Sequence, residues 1–175
     1  MIEREAPRFT GVANYDDPKG RFRFRFPTDW NQYELEDDRE GRLFAPDPSD
    51  LQTYFAVWVS ELEQAVVAED MEDLKAGVAE GLAQLPSSHV ESESETVMGN
   101  LIKFERVLTF TQDGAVRKRK SWILYVDRWT IVLTWQGSSV EEYEYWLAMA
   151  NYSFATFNVA DELWFATDRD LGFAG

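Results

Sequence analysis

The residue types that do covalent or metal chemistry are scarce in this chain. It has one histidine, His89, and no cysteine. Disulfides, thiolate metal sites, thiol nucleophiles and iron–sulfur clusters are therefore excluded. A Ser-His-Asp triad would rest wholly on His89. That residue lies in LPSSHVES, just past the helix-stopping Pro86 and next to Ser87 and Ser88. A general base needs both a nucleophile and an orienting acid in reach, and neighbours in one loop rarely meet that geometry. His89 reads as a solvent-exposed loop histidine. Carboxylates are plentiful, with 32 Asp and Glu, so a pair acting as acid and base is chemically available, but the sequence favours no particular pair. Glu36-x-Asp38-x-Glu40-Gly41, with Asp47 at position 12, follows the spacing of an EF-hand loop. Positions 1 and 5 are Glu where Asp or Asn is preferred, the flanks read as strands, and Pro46 precedes the last ligand. Glu36, Asp38, Glu40 and Asp47 are thus candidate cation ligands, set against an acidic hairpin turn in water. The chain has no Walker loop, G-x-G-x-x-G, H-E-x-x-H or G-x-S-x-G, and no cofactor is expected.

Charge is the next constraint. The 175 residues carry 32 acids against 17 bases, net −15. Residues 1–30 hold 5 acids and 6 bases, 31–100 hold 17 and 3, and 101–175 hold 10 and 8. Nearly all the excess therefore falls in the middle segment. The bases cluster at Arg21, Arg23 and Arg25 and again at Arg117, Lys118, Arg119 and Lys120. An acidic half facing basic strands is self-complementary, and a steering surface for a charged partner is the other reading. Arg21, Arg23, Arg25, Arg117 and Arg119 are the candidate interaction residues. Nucleic acid and anionic membrane both demand a basic footprint, so neither is expected as partner. In RFRFRF the phenylalanines and arginines fall on opposite strand faces, so they do not share one nucleic-acid ligand.

The elements that position these groups follow from hydrophobic period. A length of 175 residues suits one domain, and 45% apolar residues with 26 aromatics is too much for a disordered acidic chain. RFRFRF (21–26) alternates at period 2, with Phe22, Phe24 and Phe26 on one face. Residues 31–36 and 42–45 are strand candidates joined by DDREG, and QTYFAVWVS (52–60) is a stronger one. Met71, Leu74, Val78, Leu82 and Leu85 trace one helical face after a cap at Asp70, and Pro86 stops it. Residues 87–96 are polar, at most an edge strand in their second half. Residues 101–111, 116–126 and 129–135 read as strands, linked by Asp113-Gly114 and Asp127-Arg128. WILYV and WTIVLTW are apolar on both faces, as in strands covered from two sides. A last helix starts at Ser138 or Ser139, with Glu142 completing a capping box. Its stripe is Val140, Tyr143, Leu147, Ala150 and Phe154, with Trp146 beside it. The expected fold is α+β: an antiparallel sheet flanked by helices on both faces, an α/β/α sandwich, in the order ββββ-α-βββ(β)-α plus a C-terminal tail. Residues 1–14 form an arm, 15–157 one domain, and 158–175 a docking or dimerisation tail whose Trp164, Phe165, Leu171 and Phe173 need a surface to cover them.

The stretch YDDPKGRFRFRFPTDW (15–30) resembles the opening of the PsbP-like family, through Tyr15, Gly20, Phe22, Phe24, Pro27 and Trp30. The later order is similar too: a strand like TYFAVWVS, a helix, hairpin-linked strands, and a final helix ending near Ser153-Phe154. The likeness spans about 15–157. It implies the Mog/PsbP type of α/β/α sandwich, in agreement with the two-faced strands. The family includes an extrinsic photosystem subunit, a Ran-binding nuclear transport protein and many bacterial members, among which the resemblance puts this chain. These act mainly as accessory or binding proteins. The matching positions are fold-forming, so the resemblance carries no functional residues across.

The leading expectation is a non-catalytic binding or accessory domain, with a protein partner and possible self-association into a homodimer through 160–175. The alternatives are a carrier of a small apolar ligand in a cavity lined by Trp58, Trp122, Trp129 and Trp135, or a carboxylate-based hydrolase. No run approaches 18 apolar residues, so no membrane span is expected. The polar start MIEREAPRFTG lacks the apolar core of a signal peptide, and a cytoplasmic location is the expectation.

Overall fold

A computed structural model of the chain describes residues 4–163. Strands β1 (Val12–Asp16), β2 (Phe22–Pro27), β3 (Asn31–Tyr33), β4 (Glu40–Ala45) and β5 (Tyr54–Glu61) precede helix α1 (Met71–Ala83). Strands β6 (His89–Met98), β7 (Leu101–Gln112), β8 (Ala115–Val126) and β9 (Trp129–Gly137) follow, then α2 (Val140–Thr156) and the short β10 (Asn158–Val159). All pairings are antiparallel. Seven strands form one sheet in the order β3-β4-β5-β9-β8-β7-β6, and β1-β2-β10 form a second.

The side-chain period of two sorts the large sheet into two faces. On one, Phe55, Val57, Val59, Leu124, Val126, Ile131, Leu133 and Trp135 meet α2 and the inward Phe22, Phe24 and Phe26 of β2. On the other, Ile102, Phe104, Ile123 and Tyr125 meet Met71, Leu74, Val78 and Leu82 of α1. The WILYV run is thus covered from both sides. The fold is α+β, an antiparallel sheet with a helix on each face, as the patterning predicts. One outer layer is composite: α2 shares it with the small sheet.

Several elements differ from expectation. RFRFRF does not join the main sheet, because β1 supplies its partner through Val12↔Pro27 to Asp16↔Arg23. The boundary at residue 14 therefore falls inside a strand, and five strands, not four, precede α1. Residues 87–96 are more ordered than their polarity suggests. β6 pairs with β7 from His89↔Thr109 to Met98↔Leu101, with an irregularity between Val90 and Ser92. An edge strand needs only one partner and no apolar face, which is why the period-two signal is missing there. Asp70 precedes α1 as expected, but its carboxylate accepts from Val67 N at 3.0 Å, closing a 3-10 turn rather than capping the helix. At α2 the cap is as expected: Ser139 Oγ accepts from Glu142 N at 3.1 Å. Val140, assigned to the apolar stripe, is exposed, while Tyr143, Ala150 and Phe154 are buried. Asp113 and Gly114 both take positive φ, 53° and 75°, as a tight hairpin link requires. No helix among the described residues is long and apolar enough to cross a membrane.

Candidate functional site: an open groove on the central sheet

A sheet of seven strands is about 29 Å wide at 4.8 Å per spacing, while a helix covers a strip of about 10 Å across. Helix α1 lies over the β6–β8 half. On β5, Phe55, Val57 and Val59 face the main core, so Tyr54, Ala56 and Trp58 face the α1 side, beyond the reach of α1. Together with Tyr33, Leu35, Leu43 and Leu51 they line a groove of about 670 Å³, closed at one end by Arg119 and edged by Glu34, Glu36 and Asp37. That size is typical of a small-ligand or short-peptide site, which spans about 300–1,000 Å³.

Local packing fixes each wall. Leu35 folds over Gly41, where a Cβ would stand 2.9 Å from Leu35 Cδ1 and 2.1 Å from the Val57 carbonyl oxygen. Only glycine lets the 34–39 loop and β5 approach β4 so closely. Arg39 bonds Asp37 at 2.7 Å and lies 4.6 Å from the Trp58 ring centroid, pinning the indole from above. At the other end Gln136, only 1% exposed, organises the polar groups. Its Oε1 accepts from Arg119 Nε at 3.1 Å, Arg119 Nη2 at 2.6 Å and Tyr54 Oη at 3.2 Å. Its Nε2 donates to the Gln52 carbonyl at 3.0 Å. Arg119 also lies 4.7 Å from the Phe110 centroid.

The sequence candidates are dispersed. Arg23 and Arg25 are exposed on the outer face of the small sheet. Arg21 is not a surface residue: its side chain is 4% exposed and bonded to Asp17 at 2.6 and 2.9 Å. Arg117 is buried as well, reaching the Ser138 carbonyl at 3.4 Å and Asp113 at 3.8 Å. Only Arg119 of the five reaches the groove. Alternation alone assigned Arg21 to solvent; the turn at Gly20, with φ 70°, swings it inward instead. Trp164, Phe165, Leu171 and Phe173 lie outside the described residues. The start of the tail is docked on its own domain: Ala160 N donates to the Arg21 carbonyl, and Leu163 packs on the main core.

The four cation candidates are not brought together. Glu36 edges the groove. Glu40 is bonded by Arg21 at 2.7 Å and Lys19 at 3.0 Å. Asp47 accepts from the Ser49 backbone and hydroxyl at 2.9 and 2.7 Å. Among the described residues no three His, Asp or Glu side chains form a group that could hold a metal. His89 is exposed, but on a strand rather than a loop. Of the four tryptophans offered as a cavity lining, only Trp58 lines the groove. Trp135 stacks on Trp30 at 5.7 Å, Trp122 packs on Phe154 at 4.9 Å, and Trp129 lies under Arg21 at 4.5 Å.

Carboxylate pairs do converge, each on a shared cation. Asp17 and Glu40 hold Arg21, Glu93 and Glu95 hold Arg106, and Glu91 and Glu144 hold Lys118. The Arg21 hydrogen bond keeps Glu40 below the usual carboxylate range, and the Arg106 bond does the same for Glu95. A general acid needs the opposite shift. A depressed carboxyl stabilises the fold above its unfolded value of about 4.3, and that stability is lost as pH falls through the folded value. The melting temperature is therefore expected to drop below about pH 4. A Glu95→Gln variant should melt lower at pH 7 and show a shallower drop, measured by circular dichroism from pH 7 to 2.5. An equal drop in both proteins would remove Glu95 from the account.

Sequence reasoning missed most of the groove lining, including Tyr33, Leu43, Leu51 and Tyr54, and with it Gln136, which anchors Arg119 and Tyr54. The signal for Tyr54 and Trp58 was the alternation opposite Phe55. Nothing in the sequence marks Gln136, a polar residue closing an apolar run.

No family model matches the chain, and no curated protein matches it by sequence. Solved structures do. Cyanobacterial PsbP (CyanoP) from Synechocystis aligns with TM-score 0.61 and 11% identity, covering 91% of this chain and 99% of that one. LpqN of Mycobacterium tuberculosis, described as involved in cell envelope biogenesis, gives 0.59 and 12%, covering 86% and 91%. The Ran-binding protein Mog1p of Saccharomyces cerevisiae gives 0.51 and 11%, covering 86% and 96%. The chain has the PsbP/Mog1 fold, as the 15–30 motif implies. At these identities the likeness is one of fold.

Proposed function

We propose that the protein is a non-catalytic binding domain that takes a protein partner along the open groove. The observation that carries this reading is the half-covered sheet: a preformed floor of Leu43, Tyr54, Ala56 and Trp58 beside charged walls. A core-forming strand such as β5 normally hides its large aromatics, so keeping Tyr54 and Trp58 only half-buried fits recognition better than stability. Mog1p, a Ran-binding protein of the same fold, supports a protein partner over a small apolar ligand. Fold alone is only analogy for function, so the site has to be tested.

A photo-crosslinking amino acid at Leu51, on the groove edge, is expected to capture a discrete partner in the native cell. The same group at Val116, as exposed but on the opposite sheet face, should capture none. The adduct should disappear when Trp58→Ala is added to the Leu51 probe, with the fold checked by melting. Equal adducts from both positions, or none from Leu51, would overturn the reading.

A further inference from the structure

Four half-buried cations, Arg42, Lys103, Arg119 and Lys120, have no carboxylate partner among the described residues, and of these Arg119 is the one that lines the groove. Arg21, Arg106, Arg117 and Lys118 each have a carboxylate partner. Arg119 binds only the neutral Gln136 amide, although the chain has 32 acids. Its Nη1 has no partner among the described residues, and it faces the groove. A guanidinium fixed on its Nε and Nη2 side and free on Nη1 is preorganised for a carboxylate. The fixing amide is buried and itself anchored by its nitrogen on the Gln52 carbonyl, so Arg119 is held in place without being neutralised. The opposite edge has the opposite sign: Glu34 and Glu36 are exposed there with no cation partner among the described residues. Between the two ends lies the apolar floor.

We infer that the groove holds the apolar carboxyl-terminal segment of a polypeptide. Its terminal carboxylate bonds Arg119, its last side chains lie on Tyr54, Ala56 and Trp58, and a basic residue upstream meets Glu34 and Glu36. From Gln136 on β9 to the β3–β4 edge is two to three strand spacings, about 10–15 Å, which an extended chain crosses in about three or four residues. The basic residue therefore belongs three or four positions before the terminus. A fatty acid satisfies Arg119 and the floor but leaves the acidic edge unmatched. The inference rests on the binding role proposed above and names the chemistry of its partner.

The test is fluorescence anisotropy with a labelled hexapeptide, Gly-Lys-Ser-Ala-Leu-Phe, as free acid and as carboxyl amide. The free acid is expected to bind at least about tenfold tighter, the factor that a charge-assisted hydrogen bond of about 1.4 kcal/mol provides. Arg119→Gln should erase that difference, and Glu34→Gln with Glu36→Gln should erase the preference for Lys over norleucine. Arg119→Lys keeps the charge and should retain part of the discrimination, which separates recognition from damage to the fold. Equal binding of acid and amide overturns the inference, as does displacement by decanoate as effective as by unlabelled peptide. If the Leu51 crosslink persists in either case, only this inference falls; if it too is absent, the binding role falls with it.

Discussion

Replacing Asp17 by alanine is expected to cost about 3–5 kcal/mol of folding stability, the range for removing one partner of a buried ion pair. Asp17 and Arg21 are 3% and 4% exposed at their side chains. Asp17 accepts from Arg21 at three donors: the backbone N at 3.0 Å, Nε at 2.6 Å and Nη2 at 2.9 Å. Arg21 also lies 4.5 Å from the Trp129 ring centroid, and its pKa is raised first of all by the Asp17 bond. Glu40, half-exposed, is the remaining anion on Arg21, and solvent screens it. Without Asp17 the guanidinium therefore stays buried and charged. The loss would be a large part of the 5–15 kcal/mol typical of a domain. Urea denaturation of the single variant should show it. Asp17→Ala combined with Arg21→Met should recover most of it, because the buried charge is then gone. A single-variant loss under about 1.5 kcal/mol, close to that of an exposed pair, would show that water reaches Arg21.

That ion pair also marks where the sequence stopped being legible. The layers could be read because they depend on residues facing two ways at once. WILYV demands cover on both sides, and the structure supplies α2 with Trp122 and Leu124, and α1 with Ile123 and Tyr125. Asp113-Gly114 and Ser139 were legible because turn and cap chemistry is local. Arg21 was not, since period-two logic assumes that the strand has already begun, and β2 starts only at Phe22. The separate small sheet was not legible either. Alternation in RFRFRF reports which face is buried, not which strand lies alongside, and VANYD alternates too weakly to stand out. The groove is harder still. It exists because α1 is narrower than the sheet and lies over β6–β8, a matter of placement that no single segment encodes. Leu43, Tyr54, Trp58, Arg119 and Gln136 come from four strands and meet only through the register Leu43↔Ala56, Tyr54↔Gln136 and Arg119↔Gln136.

Gly137→Ala should be the most damaging single-methyl change in the chain's second half, and its contrast with Gly77→Ala makes the cause testable. Gly137 ends β9 beneath the first turn of α2. A Cβ there would stand 2.3 Å from Tyr143 N, 2.6 Å from Tyr143 Cα and 2.6 Å from the Ser139 carbonyl oxygen. Those atoms belong to the first hydrogen bond of the helix, Tyr143 N to Ser139 O at 3.0 Å. Backbone on every side leaves no side chain to swing away, so α2 must shift bodily. It carries Tyr143, Met149, Ala150 and Phe154 into the main core and takes the Trp135 indole N–H on the Tyr143 carbonyl at 3.3 Å. A loss of at least about 3 kcal/mol is expected, the upper end for overpacking. Gly77 lies in the middle of α1, and a Cβ there meets nothing within 4 Å. The same methyl should stabilise the protein there by about 0.5–1 kcal/mol, through helix propensity and a stiffer unfolded chain. Thermal melts of the two variants should therefore move in opposite directions. A Gly137→Ala protein melting within a degree or two of the parent would mean that α2 does not sit on β9 as closely as this geometry requires.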